Sequence, residues 1–223
     1  MKPTMAQQSK ALTIAAFGAR GSGKTAWVKQ HLDATRPPRL MVWDYKHDHG
    51  LSTIGKGYLR WPEFVKACKA QAFQARYLVS PDHDPHEQFA AFCELAWREG
   101  NLTMFVDELG EVTKSNRAPG AWRKCVNVGR SYDNGSKALA IIGANQRPAE
   151  VDKSFLANCD VIHTGRLGDV SDAKRFAQSW GIDAAELVNL PDLSWVEKRA
   201  DSPDILRGVL VFPNKKPPPK TAP

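Results

Sequence analysis

The chain has 223 residues, 42% apolar and 25% charged, with a formal charge of +7 and a pI of about 9.3. This is the composition of a soluble globular protein, long enough for one full core. No apolar run is long enough to span a membrane, and "MKPTMAQQSK" at the start has no hydrophobic leader. Four scattered cysteines (Cys68, Cys93, Cys125, Cys159), none in a CxxC, exclude a disulfide framework and fit a reducing, cytoplasmic setting. The positive charge is compatible with a polyanionic partner.

Residues 1–10 are expected to form a disordered segment, 11–212 a single domain, and the Pro- and Lys-rich "PNKKPPPKTAP" (213–223) an extended tail. Within the domain, short apolar runs alternate with helical patterns, which predicts a mostly parallel sheet with helices on both faces. The first strand is "LTIAAFG" (12–18), followed by the octapeptide "GARGSGKT" (18–25) and the helix "AWVKQHLDA". "RLMVWDY" (39–45) is the next strand. It runs into Asp44 and Lys46 and then a flexible basic loop, "HDHGLSTIGKG". "ARYLVS" (75–80) is a strand; Phe89, Phe92, Cys93, Ala96 and Trp97 form one helical stripe; "LTMFVDE" (102–108) is a strand. Trp122, Cys125, Val126 and Gly129 mark another helix, whose polar face carries Arg123, Asn127 and Arg130. "ALAIIGA" (138–144) ends in Asn145, Gln146 and Arg147, and "DVIHTGRL" (160–167) follows. A helix over 171–181 starts at a Ser171 N-cap and stops at Gly181. "DAAE" (183–186) resembles a capping box, and 194–200 with 207–213 read as a terminal hairpin or edge pair.

"GARGSGKT" carries Gly18, Gly23, Lys24 and Thr25 at the fixed positions of G-x-x-x-x-G-K-[ST], between a strand and a helix. Glycine lets successive backbone N–H groups turn inward onto phosphates. Gly18, Gly21, Ser22, Gly23, Lys24, Thr25 and Ala26 are therefore the expected cradle for ATP. Lys24 would reach the β- and γ-phosphates, and the Thr25 hydroxyl would ligate Mg²⁺. The helix N-terminus adds to the anion field. At 107–108 an apolar strand ends in two carboxylates, as in a Walker B motif. Asp107 would hold the Mg²⁺ shell and Glu108 would act as general base on the attacking water. Gln146, at the end of the strand that follows, is placed to sense the γ-phosphate and the water. His47, His49, His83 and His86 match no standard zinc spacing.

Residues 129–176, "GRSYDNGSKALAIIGANQRPAEVDKSFLANCDVIHTGRLGDVSDAKRF", resemble the FtsK–HerA superfamily of DNA-pumping ATPases. The matching elements are Gly129-Arg130 before a strand, Gln146-Arg147-Pro148 at its end, and Asp169 with Asp172 beyond. With the two Walker motifs the likeness covers most of 11–180. The compact chain is similar to the small genome-packaging ATPases of membrane-containing, double-jelly-roll viruses. The resemblance implies an α/β P-loop NTPase fold of the RecA-like (ASCE) type, with a twisted, mostly parallel central sheet flanked by helices. It implies an ATP- and Mg²⁺-dependent motor that assembles into a ring and packages double-stranded DNA, gripped through backbone phosphates. A capsid or membrane-vertex protein is an implied docking partner, and the cytoplasm or virion an implied location. Such rings take an arginine in trans, here Arg130 by preference, with Arg147 and Arg166 as the other candidates. Asp44 and Lys46 match a D-x-K that the family carries near the nucleotide. Two other functions fit the same motifs. One is a phage-morphogenesis or conjugation ATPase acting on single-stranded DNA or protein; the other is a nucleotide-gated scaffold.

Overall fold

A computed structural model describes residues 11–114 and 118–212, without the side chains of Asp133 and Asn134; the expected N-terminal segment and the Pro/Lys tail lie outside the described residues. The strands are β1 (Thr13–Phe17), β2 (Arg39–Asp44), β3 (Lys56–Tyr58), β4 (Phe73–Leu78), β5 (Leu102–Val106), β6 (Leu139–Asn145), β7 (Val161–Thr164), β8 (Ser194–Arg199) and β9 (Ile205–Val209). They form one sheet in the order β3-β4-β2-β5-β6-β1-β7-β8-β9. The first seven in that order pair in parallel, and β8 and β9 add an antiparallel hairpin at the β7 edge. Every residue of β1 is buried, as its unbroken apolar run requires.

The helices are α1 (Lys24–Thr35), α2 (Trp61–Cys68), α3 (Pro85–Glu99), α4 (Leu109–Thr113), α5 (Gly120–Val128), α6 (Lys153–Ala157), α7 (Val170–Trp180) and α8 (Ala184–Val188). Both faces of the sheet carry helices, but unequally. One face meets Val28 and Leu32 of α1, with Leu51 and Ile54 from the segment after β2. The other is covered by α2 through α8, around Trp43, Phe64, Phe89, Phe92, Trp122 and Phe155. Phe89, Phe92, Cys93 and Ala96 of the expected stripe on α3 are buried there with Trp97 half-buried at the edge, and Asp84 caps that helix by accepting from the His86 N–H at 2.8 Å.

Three expectations change. The basic loop after β2 is ordered structure: a 3-10 turn at His49–Leu51 caps on Asp48, Leu51 is buried, and Lys56–Tyr58 become the edge strand β3. Its apolar positions are too few and too irregular to show a period. The N-cap of α7 is Asp169, which accepts from the N–H groups of Ser171 and Asp172, so the helix starts one residue before the expected cap. Asp183 does cap α8, but Glu186 turns away from the box to pair with Arg207 of β9. Gly181 closes α7 at φ 70°, as expected.

Candidate nucleotide and catalytic site

In parallel strands all carboxyl ends face one edge of the sheet, and ligands bind there. Phe17 of β1 pairs with Asn145 of β6, and Val106 of β5 pairs with Gly143 of β6. Gly18, Gln146 and Asp107 therefore leave three adjacent strands side by side. Because β6 lies between β1 and β5, Gln146 stands between the glycine loop and the carboxylates. Together they line a cleft of about 650 Å³ formed by Ala19, Arg20, Gly21, Gly23, Lys24, Thr25, Ala26, Lys46, Asp48, Asp107, Glu108 and Gln146.

The loop's shape follows from its glycines. Gly18 has φ 151°, and a Cβ there would fall 2.2 Å from Ser22 Oγ, because the loop folds back on its own start. Gly23 caps α1 in the left-handed region at φ 97° and accepts from the Trp27 N–H at 2.9 Å. A Cβ at Gly23 would fall 2.6 Å from Leu210, so the root of the β8–β9 hairpin packs against the loop; there Leu210 N–H donates to the Leu193 carbonyl. Ser22 is buried beneath the loop and does not line the cleft. The first-turn N–H groups of α1 have no intrahelical partners and are left able to bind an anion.

The acidic wall is built from β5. Glu108 takes the left-handed conformation at φ 50° as the N-cap of α4. That turn is tied from behind: Asn145 Oδ1 accepts from the Gly110 N–H at 3.1 Å, and Asn145 Nδ2 donates to the Arg147 carbonyl. Glu108 Oε1 lies 2.9 Å from Lys46 Nζ and accepts from Gln146 Nε2 at 3.4 Å. Burial alone would raise the Glu108 carboxyl. The Lys46 hydrogen bond and the charges of Lys24 and Lys46 outweigh burial and hold it below the usual value. Asp107, 5% exposed, is pushed up to about 6, mainly by burial, with Lys24 pulling down and Glu108 pushing up. Among the described residues no cluster of His, Cys, Asp and Glu encloses a metal ion alone. The Thr25 hydroxyl and Asp107 carboxylate are hard oxygen donors beside a phosphate-shaped loop. That set fits Mg²⁺, which keeps waters and substrate oxygens in its shell.

Asp44 is near the cleft but not in it. Its fully buried carboxylate takes the Arg76 guanidinium at 2.5 Å and the Asp48 N–H at 2.9 Å, so it holds the segment that carries Lys46 and Asp48. Asp48 escaped sequence reading because only the fold of the segment after β2, where it caps the 3-10 turn, brings it to the cleft that Thr25 also lines. Arg130 does not join the cleft. It follows α5 and pairs with Asp160 at 2.6 Å; the same carboxylate accepts the N–H of Thr13, the first residue of β1. That is the opposite end of the strands. Arg147, bound to Asp169 and Asp172, and Arg166, bound to Asp192, leave the ends of β6 and β7 on the cleft side.

The sheet, its strand order and the loop between β1 and α1 decide the fold class. This chain has the P-loop NTPase fold. No model of a known protein family matches its sequence. It is 25% identical to protein P9 of Pseudoalteromonas phage PM2 over 180 residues, 79% of this chain and 78% of that protein. The genome-packaging NTPase B204 of Sulfolobus turreted icosahedral virus 2, solved with AMPPCP, superposes with a TM-score of 0.70 at 14% identity, covering 92% of this chain and all of B204. The bacterial conjugative coupling protein TrwBdeltaN70 gives a TM-score of 0.66 at 11% identity, over 95% of this chain and 88% of that one. These neighbours bear out the resemblance read from the sequence. No described helix of this P-loop NTPase fold is long and apolar enough to cross a membrane.

Proposed function

We propose that this protein is an ATPase of the genome-packaging kind, a ring-forming motor that moves double-stranded DNA into a capsid. The observation that carries the reading is the single cleft in which the glycine loop, Lys24, Asp107, Glu108 and Gln146 converge. The likeness to B204 and to protein P9 supports it. The N–H groups of the loop and α1 would bind the phosphates, and Lys24 would neutralise their charge. Thr25 and Asp107 would hold Mg²⁺, which when bound offsets charge on the phosphate oxygens. Glu108 would orient a water and accept its proton as the water oxygen bonds to the γ-phosphorus and the bond to the bridging oxygen breaks, releasing ADP. Gln146, already on Glu108, would report the presence of the γ-phosphate to β6. Arg130, Arg147 and Arg166 would be the candidates for an arginine supplied to a neighbouring copy, the last two from the cleft edge of the sheet and Arg130 from the opposite end. DNA would be held through its phosphates, without sequence reading.

The test is steady-state ATP hydrolysis, alone and with double- or single-stranded DNA, beside Lys24→Ala. The expected result is hydrolysis stimulated by duplex and lost in the variant. Hydrolysis indifferent to both DNA forms would overturn the DNA-motor reading, and none by folded wild-type protein would overturn the ATPase itself.

A further inference from the structure

Where the α1 face of the sheet passes over β7 and β8 there is a second cavity, of about 310 Å³. Its floor is Leu12, Ile14 and Val161, and its α1 wall is Trp27, Gln30 and His31, which helical spacing puts on one side. The rings of Trp27 and His31 stack 5.4 Å apart, and both residues are half-buried. Glu197 of β8 lines the same space at 7% exposed. Its carboxylate is poorly matched: Arg199 Nη1 is 3.4 Å away, on a guanidinium shared with Asp201, and His163 Nδ1 is 3.6 Å away. His163 is itself buried, stacked 3.9 Å from Trp27, and its Nδ1 has no hydrogen-bond partner among the described residues. Charge-assisted pairs normally close to about 2.7–2.9 Å. An apolar floor, aromatic faces and a buried carboxylate short of donors suit an alkylammonium. The chain itself carries such groups toward the site. Leu210 packs on Gly23, and Gln30 Nε2 donates to the Val211 carbonyl at 3.0 Å, so the chain leaves the β8–β9 hairpin beside this wall. Residues 213–223 then read "PNKKPPPKTAP". At about 3.1 Å per residue, the advance of a proline-rich segment, Lys215 and Lys216 come within roughly 16 Å of Val211.

We propose that segment 213–223 docks in this cavity of its own chain: the ammonium of Lys215 or Lys216 meets Glu197, and Pro217, Pro218 and Pro219 lie on the aromatic wall. Proline suits such faces because its φ is already fixed, so docking costs little chain entropy. The segment carries three lysines and no acidic side chain, which matches the carboxylate. Docked, it ties the β8–β9 hairpin to the helix that begins at the glycine loop. No residue of this cavity lines the nucleotide cleft, so docking and nucleotide binding stand or fall separately.

The experiment is nuclear magnetic resonance of the full chain with nitrogen-labelled tryptophan and histidine. Wild type is compared with Lys215→Gln/Lys216→Gln/Lys220→Gln, with Pro217→Ser/Pro218→Ser/Pro219→Ser, and with the lysine variant in a Glu197→Gln background. The tail substitutions lie outside the packed core, so they test docking without unfolding the domain. Docking predicts that the Trp27 indole N–H and His31 ring signals move in both tail variants. The indoles of Trp43 and Trp122, buried on the other face, stay in place. The His31 titration midpoint rises by about 0.5 in the lysine variant, because a nearby cation that opposes protonation has gone. In the Glu197→Gln background the response to the lysine substitutions shrinks, since the two partners are coupled. Unmoved Trp27 and His31 signals in both tail variants would overturn the docking. Shifts that grow with protein concentration would assign the cavity to a second copy's segment and overturn docking within one chain. An undiminished lysine response without Glu197 would overturn the ammonium–carboxylate contact.

Discussion

The two ends of the parallel strands hold the same kinds of side chain and use them differently. At the amino end, Arg130 and the Thr13 N–H share Asp160, and Arg39 donates to the carbonyl of Gly100 at 2.7 Å while pairing with Glu99. Charge there is tied to backbone and closes the fold. At the carboxyl end, Lys24, Asp107, Glu108 and Lys46 line a common open cleft, and Glu108 is held at positive φ. Charge there is gathered around an open cleft, and part of it is unfavourable: burial and Glu108 both raise Asp107. A charged pair is structural where backbone completes its shell and functional where the shell opens onto a cavity. Asp44 marks the boundary: it lies at the carboxyl end, yet it is fully buried on Arg76 and serves the layer behind the site.

The largest effect expected at the carboxyl end is on rate. Glu108→Gln should retain nucleotide and lower ATP turnover by roughly 10²- to 10⁴-fold, the usual range for a general base. Nucleotide binding paired with single-turnover hydrolysis separates the two effects, and unchanged turnover would remove Glu108 from the chemistry.

Next in size is a gain in stability. Asp107 titrates near 6 in the folded protein and near 3.8 as an unperturbed carboxyl. Its raised value makes a stabilising contribution that is complete below about pH 4 and lost as pH rises through 6. At pH 7.5 the metal-free protein therefore carries an unfavourable ionised Asp107. Asp107→Asn should stabilise it by on the order of 2 kcal/mol, an advantage that disappears near pH 4. Urea unfolding in EDTA at the two pH values checks this, and the same variant should lose Mg²⁺-dependent hydrolysis.

The smallest effect belongs to the amino end. Arg130→Ala removes a half-exposed ion pair and should lower stability by about 1 kcal/mol or less, with nucleotide affinity of the isolated chain within about twofold of wild type. A large loss of affinity would break the distinction between the two ends.

Much of the site was legible in sequence because its parts are local. The glycine loop is one contiguous turn whose conformations demand glycine at 18, 21 and 23, and it needs only a strand before it and a helix after. Asp107, Glu108 and Gln146 end apolar runs, and the carboxyl ends of parallel strands share an edge. The position of Arg130 could not be read from the sequence, because a helix period reports which face a residue occupies and not which end of the sheet its helix reaches. Lys46 could be read as near the nucleotide, but its partner could not. Nor could β3 or the 3-10 turn, whose few apolar residues carry no period.

The sequence by itself determined the strand-loop-helix at residues 12–35, the buried strands, and the residue types able to bind a triphosphate. The physical reason is that backbone freedom, capping and hydrophobic period act over a few residues. Only the tertiary structure decided that β6 separates β5 from β1, that α1 is nearly alone on its face, that Arg130 lies at the far end, and that Lys46 meets Glu108. Those outcomes depend on the order in which strands far apart in the chain are laid together, and on which charges are then left facing the same water.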